Sequence, residues 1–216
     1  VLIKLQKSFM DRKKINLIFS RFQHNNPTPK IELKYHNEFT LLIAIVLSAR
    51  TTDVSVNKIT EKLFKVADTP NKILSLGEDG LKAHINKIGL YNTKARNIIK
   101  MSKLIVQKYN AKVPHDFDVL TSLPGVGRKS ANVFLNSILG IPTIAVDTHV
   151  FRVSNRIGLV NASNVLDVEK SLMRAIPKKW LLYAHHWLVL HGRYICKARY
   201  PSCHKCIIED LCYKRM

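Results

Sequence analysis

Three sets of side chains in this chain have the types and spacing to do chemistry. They are Lys129 in L-P-G-V-G-R-K-S-A-N-V (123–133), Asp147 in T-I-A-V-D-T-H-V-F-R-V (143–153), and four cysteines within the last 21 residues. The lysine follows a glycine turn that opens a helix. Pro124 fixes one backbone angle, while Gly125 and Gly127 permit left-handed or close-approach conformations that a Cβ would forbid. Backbone N–H groups of such a turn, at a helix N-terminus, make an anion site of phosphate size. Ala131, Phe134, Leu135 and Ile138 then fall at i, i+3, i+4, i+7, and Gly140 before Pro142 ends the helix. Lys129 lies roughly opposite that stripe at about 100° per residue. An amine is therefore expected on an exposed helix face beside a phosphate-sized pocket, with Arg128 next to it. Such a lysine serves either as a phosphate contact or, unprotonated, as a nucleophile, and the turn alone leaves both open. Asp147 stands where it can N-cap a helix from Thr148.

Two common phosphate motifs do not fit. Gly127-Arg128-Lys129-Ser130 breaks the final Gly-Lys-Ser/Thr triplet of a Walker loop. A dinucleotide fingerprint needs a Gly three residues after Gly127 and a preceding strand, and neither is present. A hairpin between two helices remains.

The cysteines, Cys196, Cys203, Cys206 and Cys212, are spaced C-x6-C-x2-C-x5-C. The N-terminal V-L-I-K-L-Q-K-S-F-M-D-R-K-K has Lys interrupting its apolar residues and no small-residue cleavage site, so no secretory signal is expected. A reducing compartment then demotes a disulfide. Structural zinc sites usually bring cysteines as two close pairs, and only Cys203 and Cys206 form one here. One short and two longer gaps suit a cubane iron–sulfur cluster better, with zinc still open on spacing alone. Arg193, Lys197, Arg199 and Lys205 make the loop cationic. His185, His186 and His191 lack the H-E-x-x-H spacing and read as packing residues or as groups behind a site.

The elements that must position these groups read as helix after helix. Lys4 to Phe22 carries Leu5, Phe9, Ile15, Ile18, Phe19 and Phe22, with an irregularity near Asp11, and Asn25 to Asn37 is a connector. Phe39 to Ala49 is nearly all apolar, which implies a helix buried on most sides. Thr51, Thr52 and Asp53 can supply caps for a helix through Val54, Ile59, Leu63 and Phe64. Pro70 to Leu76 and Gly80 to Ile88 read as two short helices, followed by the glycine turn I-G-L-Y-N-T-K-A (88–95). The phrase K-x-x-N-apolar at Lys94 recurs at Lys129, as if two helix-turn-helix units solved one local problem. That second helix runs to Tyr109, Pro114 breaks it, and Phe117 to Ser122 leads into the lysine hairpin. Helices through Val150 to Ile157, Leu166 to Ile176, and Leu181 to His191, closed by Gly192, complete the pattern. No useful β alternation occurs, so the class is all-α.

Bulk charge narrows the partner. Thirty-five Lys plus Arg against 15 Asp plus Glu leave +20 in 216 residues, a surplus that a polyanion best explains. A membrane surface would require a basic amphipathic anchor or a long apolar span, and the longest apolar-rich run is too short to cross a bilayer. Nucleic acid is favoured.

Taken together the residues resemble the endonuclease III family of helix-hairpin-helix DNA glycosylases. The resemblance rests on L-L-I-A-I-V-L-S-A (41–49), T-D-V-S-V-N-K (52–58), the two glycine turns, the Asp147 segment, H-H-W-L-V-L-H-G-R (185–193) and the cysteine spacing, in order from about residue 15 onward. It implies two helical lobes with a DNA-binding cleft, here 31–141 with the hairpin, and 1–30 plus 142–216 with a [4Fe-4S] cluster loop held by the four cysteines. It carries the catalytic lysine onto Lys129 and the catalytic aspartate onto Asp147. A neutral amine attacks the sugar C1′, displaces a damaged base and remains as a Schiff base that permits β-elimination, while the carboxylate assists deprotonation and steadies positive charge. Gly125, Gly127, Arg128, Arg50, Leu90, His149, Lys197 and Arg199 are expected at the DNA, Leu90 as a wedge beside an extruded nucleotide. Arg50 departs from a common glutamine, which opens the question of opposite-base contacts, and Tyr200 stands where a basic residue is common. The implied activity is a bifunctional glycosylase and abasic-site lyase on oxidised pyrimidines in duplex DNA. A monomer in bacterial cytoplasm, at the nucleoid, is expected. An adenine-type glycosylase usually lacks the lysine and carries a further C-terminal domain; a non-catalytic DNA-binding module with a structural metal is the reading from another class.

Overall fold

The computed structural model describes residues 10–214, so the Lys4–Phe9 part of the first expected helix lies outside them. Every regular element among the described residues is helical. The chain divides into two compact units: Ile31–Leu139, and the flanking segments up to Lys30 and from Gly140 onward.

The central unit holds six helices: α2 (Glu38–Leu47), α3 (Asp53–Val66), α4 (Pro70–Ile85), α5 (Tyr91–Tyr109), α6 (Phe117–Ser122) and α7 (Arg128–Leu139). Helix α2 is its axis. Every residue from Phe39 to Leu47 is buried, because α3, α5 and α7 pack around it. Its start is set by a reciprocal cap: Asn37 Oδ1 accepts from Thr40 N at 2.8 Å, and Thr40 Oγ1 accepts from Asn37 N at 2.9 Å. Thr52, not Asp53, is the N-cap of α3, accepting from Ser55 N. Asp53 occupies the first helical position, where its charge suits the dipole. Val54 lies off the buried stripe and is 67% exposed, while Val56, Ile59, Leu63 and Phe64 form that stripe. Gly77, at φ +72 and ψ 173, kinks α4 into two short helical pieces.

The flanking unit holds α1 (Arg12–Asn25), α8 (Thr148–Ile157), α9 (Val165–Ala175) and α10 (Lys178–Tyr194), then 3-10 turns at Cys203–Lys205 and Glu209–Leu211. Ile15, Ile18, Phe19 and Phe22 of α1 share one core with Val150, Val153, Val168, Leu172, Trp187 and Leu188. Two tryptophans fasten α10 to the N-terminal segment: Trp180 Nε1 donates to Asn16 Oδ1 and Trp187 Nε1 to Asn26 O, at 2.9 and 2.8 Å. Burying indole rings while satisfying each N–H joins hydrophobic gain to a directional contact.

Helix α10 does not stop at Gly192 but continues to Tyr194. The glycine is there for a helix crossing. A Cβ on it would lie 2.8 Å from His149 Cβ and 3.0 Å from Val153 Cγ2 of α8. A residue that reads as a terminator is thus a close-approach site, which a one-dimensional pattern does not distinguish.

Candidate active site and cysteine loop

In the central unit, the turn before α7 is built as its residue types require. Val126 N donates to Leu123 O at 3.0 Å, and Gly125 at φ +84 takes the left-handed third position of that turn behind Pro124. The turn packs closely, since a Cβ on Gly125 would sit 3.1 Å from Asn97 Cβ of α5. Gly127 is neither the left-handed nor the close-approach residue that the sequence predicts. Its φ is not positive, and a Cβ there would meet nothing within 4 Å. Its carbonyl accepts the first bond of α7, from Ala131 N at 3.0 Å, so open space lies at the start of a helix. The N–H groups of that first helical turn have no intrahelical acceptor, which is the property that attracts an anion.

Lys129 is exposed on the first turn of α7. The face below it is broader than a four-residue stripe: Ala131 to Leu135 and Asn136 are all buried, and Ile138 is half-buried. Arg128 lays its guanidinium over the Phe117 ring, 5.0 Å from the centroid, which orients a cation beside the turn.

The first glycine turn presents a different side chain. Leu90, after Gly89, has φ +62 and sits at the N-cap of α5 with 61% of its surface exposed. Core packing does not account for a left-handed, exposed leucine; such strain collects at functional positions. Arg50, at φ +57 after α2, is likewise exposed and left-handed.

In the flanking unit, Asp147 is the N-cap of α8. One carboxylate oxygen, Oδ1, accepts from His149 N at 2.9 Å and Val150 N at 2.8 Å. The side chain is half-buried. Its orientation is therefore set by the helix it starts. His149 is half-buried, its Nδ1 3.4 Å from Arg152 Nη2.

The four thiols gather behind α8, each within electrostatic reach of Cys206. Burial pushes the Cys206 and Cys212 thiols up, and neighbouring cysteines add to the push. Held as thiolates, they need a positive group among them, and soft thiolate donors select zinc, copper(I) or iron–sulfur groups. Among the described residues no group of three or more His, Cys, Asp or Glu is arranged to hold a single metal ion. Backbone and guanidinium donors point at the sulfurs: Lys214 N lies 3.3 Å from Cys212 Sγ and Arg156 Nη1 3.6 Å from Cys196 Sγ. The donor set fits a thiolate-bound group.

Several fasteners of this loop escape a motif reading. Arg152 donates to the carbonyls of Gly192 (2.8 Å) and Cys196 (3.0 Å), and one turn on Arg156 donates to that of Lys197 (2.7 Å). The i, i+4 pair in F-R-V-S-N-R is the signal that could have shown them. Arg21 of α1 forks onto Asp210 and reaches the carbonyl of Ile207 at 2.8 Å. His191 Nε2 stands 3.7 Å from Cys206 Sγ, so this histidine belongs behind the cysteines, whereas His185 and His186 pack against each other. Lys197 and Arg199 are exposed on the loop, and Tyr200 beside them is 92% exposed at φ +51.

The chain is similar to known proteins in sequence and fold. The sequence model of the HhH-GPD superfamily of base excision DNA repair proteins matches residues 43–178. Endonuclease III of Rickettsia conorii is 57% identical over 94% of this chain and 97% of its own length, and that of Escherichia coli K12 is 53% identical over 94% and 96%. The fold is similar to that of a trapped endonuclease III–DNA covalent intermediate in an estranged-adenine complex, with TM-score 0.89, 44% identity, and 95% and 97% of the two chains covered. The chain belongs to the endonuclease III family of the HhH-GPD superfamily.

Proposed function

We propose that this protein is a bifunctional DNA glycosylase and abasic-site lyase that removes oxidised pyrimidines from duplex DNA, with Lys129 as nucleophile and Asp147 as its partner. The observation that carries the reading is the pairing of an exposed lysine with an open helix start. A Cβ on Gly127 would meet nothing within 4 Å, which leaves room for a phosphate at the start of α7, and Lys129 is exposed on that same turn. A family relative of 44% identity forms a covalent intermediate with DNA, and an exposed amine is the group such chemistry needs.

The steps follow from the groups. Phosphate bound at the Gly125–Gly127 turn fixes the backbone of an extruded nucleotide. The neutral amine of Lys129 attacks C1′ as the bond from C1′ to the base breaks, and the base leaves with a proton. Opening of the sugar ring gives an imine, whose electron demand lets the C2′ proton depart while the bond from C3′ to the phosphate oxygen breaks. Water then hydrolyses the imine and frees Lys129. Asp147 steadies positive charge on the sugar and accepts protons. Leu90 fills the space the nucleotide vacates, Arg50 meets the opposite strand, and Arg128, His149, Lys197 and Arg199 contact the backbone near the lesion.

Cys196, Cys203, Cys206 and Cys212 would hold a [4Fe-4S] cluster. Such a group, when bound, cross-links the C-terminal loop and can pass one electron. The bacterial origin of these relatives supports work at the nucleoid in the cytoplasm.

Borohydride reduction in the presence of an abasic duplex tests the assignment. A covalent protein–DNA adduct is expected from the native chain and none from Lys129→Ala. Undiminished trapping by that variant would remove Lys129 from the mechanism.

A further inference from the structure

Helix α2 poses a problem that its own sequence does not solve. It is a run of buried apolar residues with no basic side chain in its last turn, so its C-terminal carbonyls and the negative end of its dipole need a cation from elsewhere. Lys94, on the first turn of α5, supplies it. The side chain is only 6% exposed. Its Nζ donates to Leu47 O at 2.9 Å, Ala49 O at 2.7 Å and Thr51 Oγ1 at 3.2 Å. An ammonium has three protons, and all three are used.

Those acceptors bracket Arg50. Ala49 precedes it and Thr51 follows, and Thr51 N closes the turn by donating to Ser48 O at 3.0 Å. Arg50 is left-handed at φ +57, a conformation that is strained for a non-glycine residue and persists only where surroundings impose it. The same K-x-x-N phrase thus serves opposite ends in the two hairpins: Lys129 is exposed, whereas Lys94 is buried with its charge pointed inward. Burial pushes the Lys94 ammonium below the ordinary lysine range, and charge-assisted bonds to three oxygens compensate.

We infer that Lys94 is the positioning residue of the Arg50 loop, its buried ammonium fixing, through Leu47, Ala49 and Thr51, the strained backbone from which Arg50 meets the strand opposite the lesion. This rests on the reading of the chain as a DNA glycosylase. Lys94 touches no substrate; it makes the opposite-strand contact preorganised rather than assembled on binding, so its effect passes through Arg50 alone.

A double-mutant cycle tests the inference, using equilibrium binding to duplexes that carry a tetrahydrofuran abasic analogue opposite guanine or adenine. Arg50→Ala is expected to weaken binding and to change the guanine-to-adenine ratio. Lys94→Met is expected to weaken binding threefold to tenfold with the same change in ratio, and to have no further effect when Arg50 is already alanine. Thr51→Ala, which removes one of the three acceptors, should act in the same direction by about half as much on a logarithmic scale; it keeps the test open if Lys94→Met does not fold. Additive effects of Lys94→Met and Arg50→Ala would overturn the inference. So would an even loss against both opposite bases, or an Arg50→Ala variant that binds like the native chain. Failure of the native chain to bind or nick any abasic duplex would instead overturn the glycosylase reading, and this inference with it.

Discussion

Asp147 combines two properties that substitution can separate. Its Oδ1 caps α8 by accepting from two backbone N–H groups, and its charge is the proposed partner of a developing cation. Asparagine keeps a capping oxygen and loses the charge; alanine loses both. Asp147→Asn should therefore unfold within a few tenths of a kcal/mol of the native chain, and Asp147→Ala about 1 kcal/mol below it. Both should lower single-turnover base release at least about a hundredfold. Equal activity of native and Asp147→Asn chains would confine Asp147 to the cap. His186 makes a separate prediction. It is 9% exposed, packs on the His185 ring at 5.2 Å, and burial depresses its pKa to about 4, well below the ordinary histidine value. The unfolded chain therefore takes up this proton first as pH falls. The stabilisation is full above roughly 6.5 and is lost as pH falls toward 4, a loss of about 2 kcal/mol between pH 7 and 5. Denaturant titrations of native and His186→Gln chains at both values measure it; an identical pH dependence in the two would assign acid sensitivity elsewhere.

The elements rely on glycine in three physically different ways. Gly125 is needed for its angle, Gly127 stands before open space, and Gly192 is needed for contact between helices. At Gly192 an added methyl meets His149 Cβ at 2.8 Å and lies 3.3 Å from the His149 Cα, so backbone must move, not merely a side-chain tip. Gly192→Ala is expected to cost about 1–3 kcal/mol by overpacking, despite the better helix propensity of alanine. It should also slow base release, because α8 carries Asp147 at its start. Thermal unfolding and single-turnover rates read the two effects. A variant as stable as the native chain would mean that the crossing has slack. Glycines of this last kind are hidden from periodicity: the H-G-R of α10 looks like a helix end until the partner helix is seen.

At the scale of the whole molecule, the flanking unit is a set of helices closed by its own C-terminal loop. Arg21 reaches that loop from α1, Arg152 and Arg156 from α8, and Tyr213 packs on Gly158, where a Cβ would fall 2.3 Å from the ring. No helix among the described residues is long and apolar enough to cross a membrane, and the +20 charge suits a polyanion. The 3-10 turns between the cysteines bury little apolar surface of their own, with Leu211 the buried residue within them. The loop's order should therefore depend on the proposed cluster. Oxidative removal of iron with a chelator present is expected to open 196–212 to protease and to lower the melting temperature by several degrees, while the helices of the central unit persist. Iron-free protein as resistant as the native chain would show that the side-chain fasteners suffice.

The sequence by itself determined what depends on local order: the all-α class, the buried run that becomes α2, the Pro124–Gly125 turn, the cap at Asp147, and the clustering of four cysteines. Helix periodicity, turn angles and cap preferences act over a few residues, so they are written in neighbouring letters. Only the tertiary structure decided that Lys94, in the same phrase as the exposed Lys129, is buried, why Gly192 is small, and that Leu90 and Arg50 hold left-handed backbones outside any core. Each of these depends on an element distant in sequence. Lys94 and Lys129 sit in the same phrase, and what separates them is the buried end of α2, whose carbonyls draw the Lys94 ammonium inward.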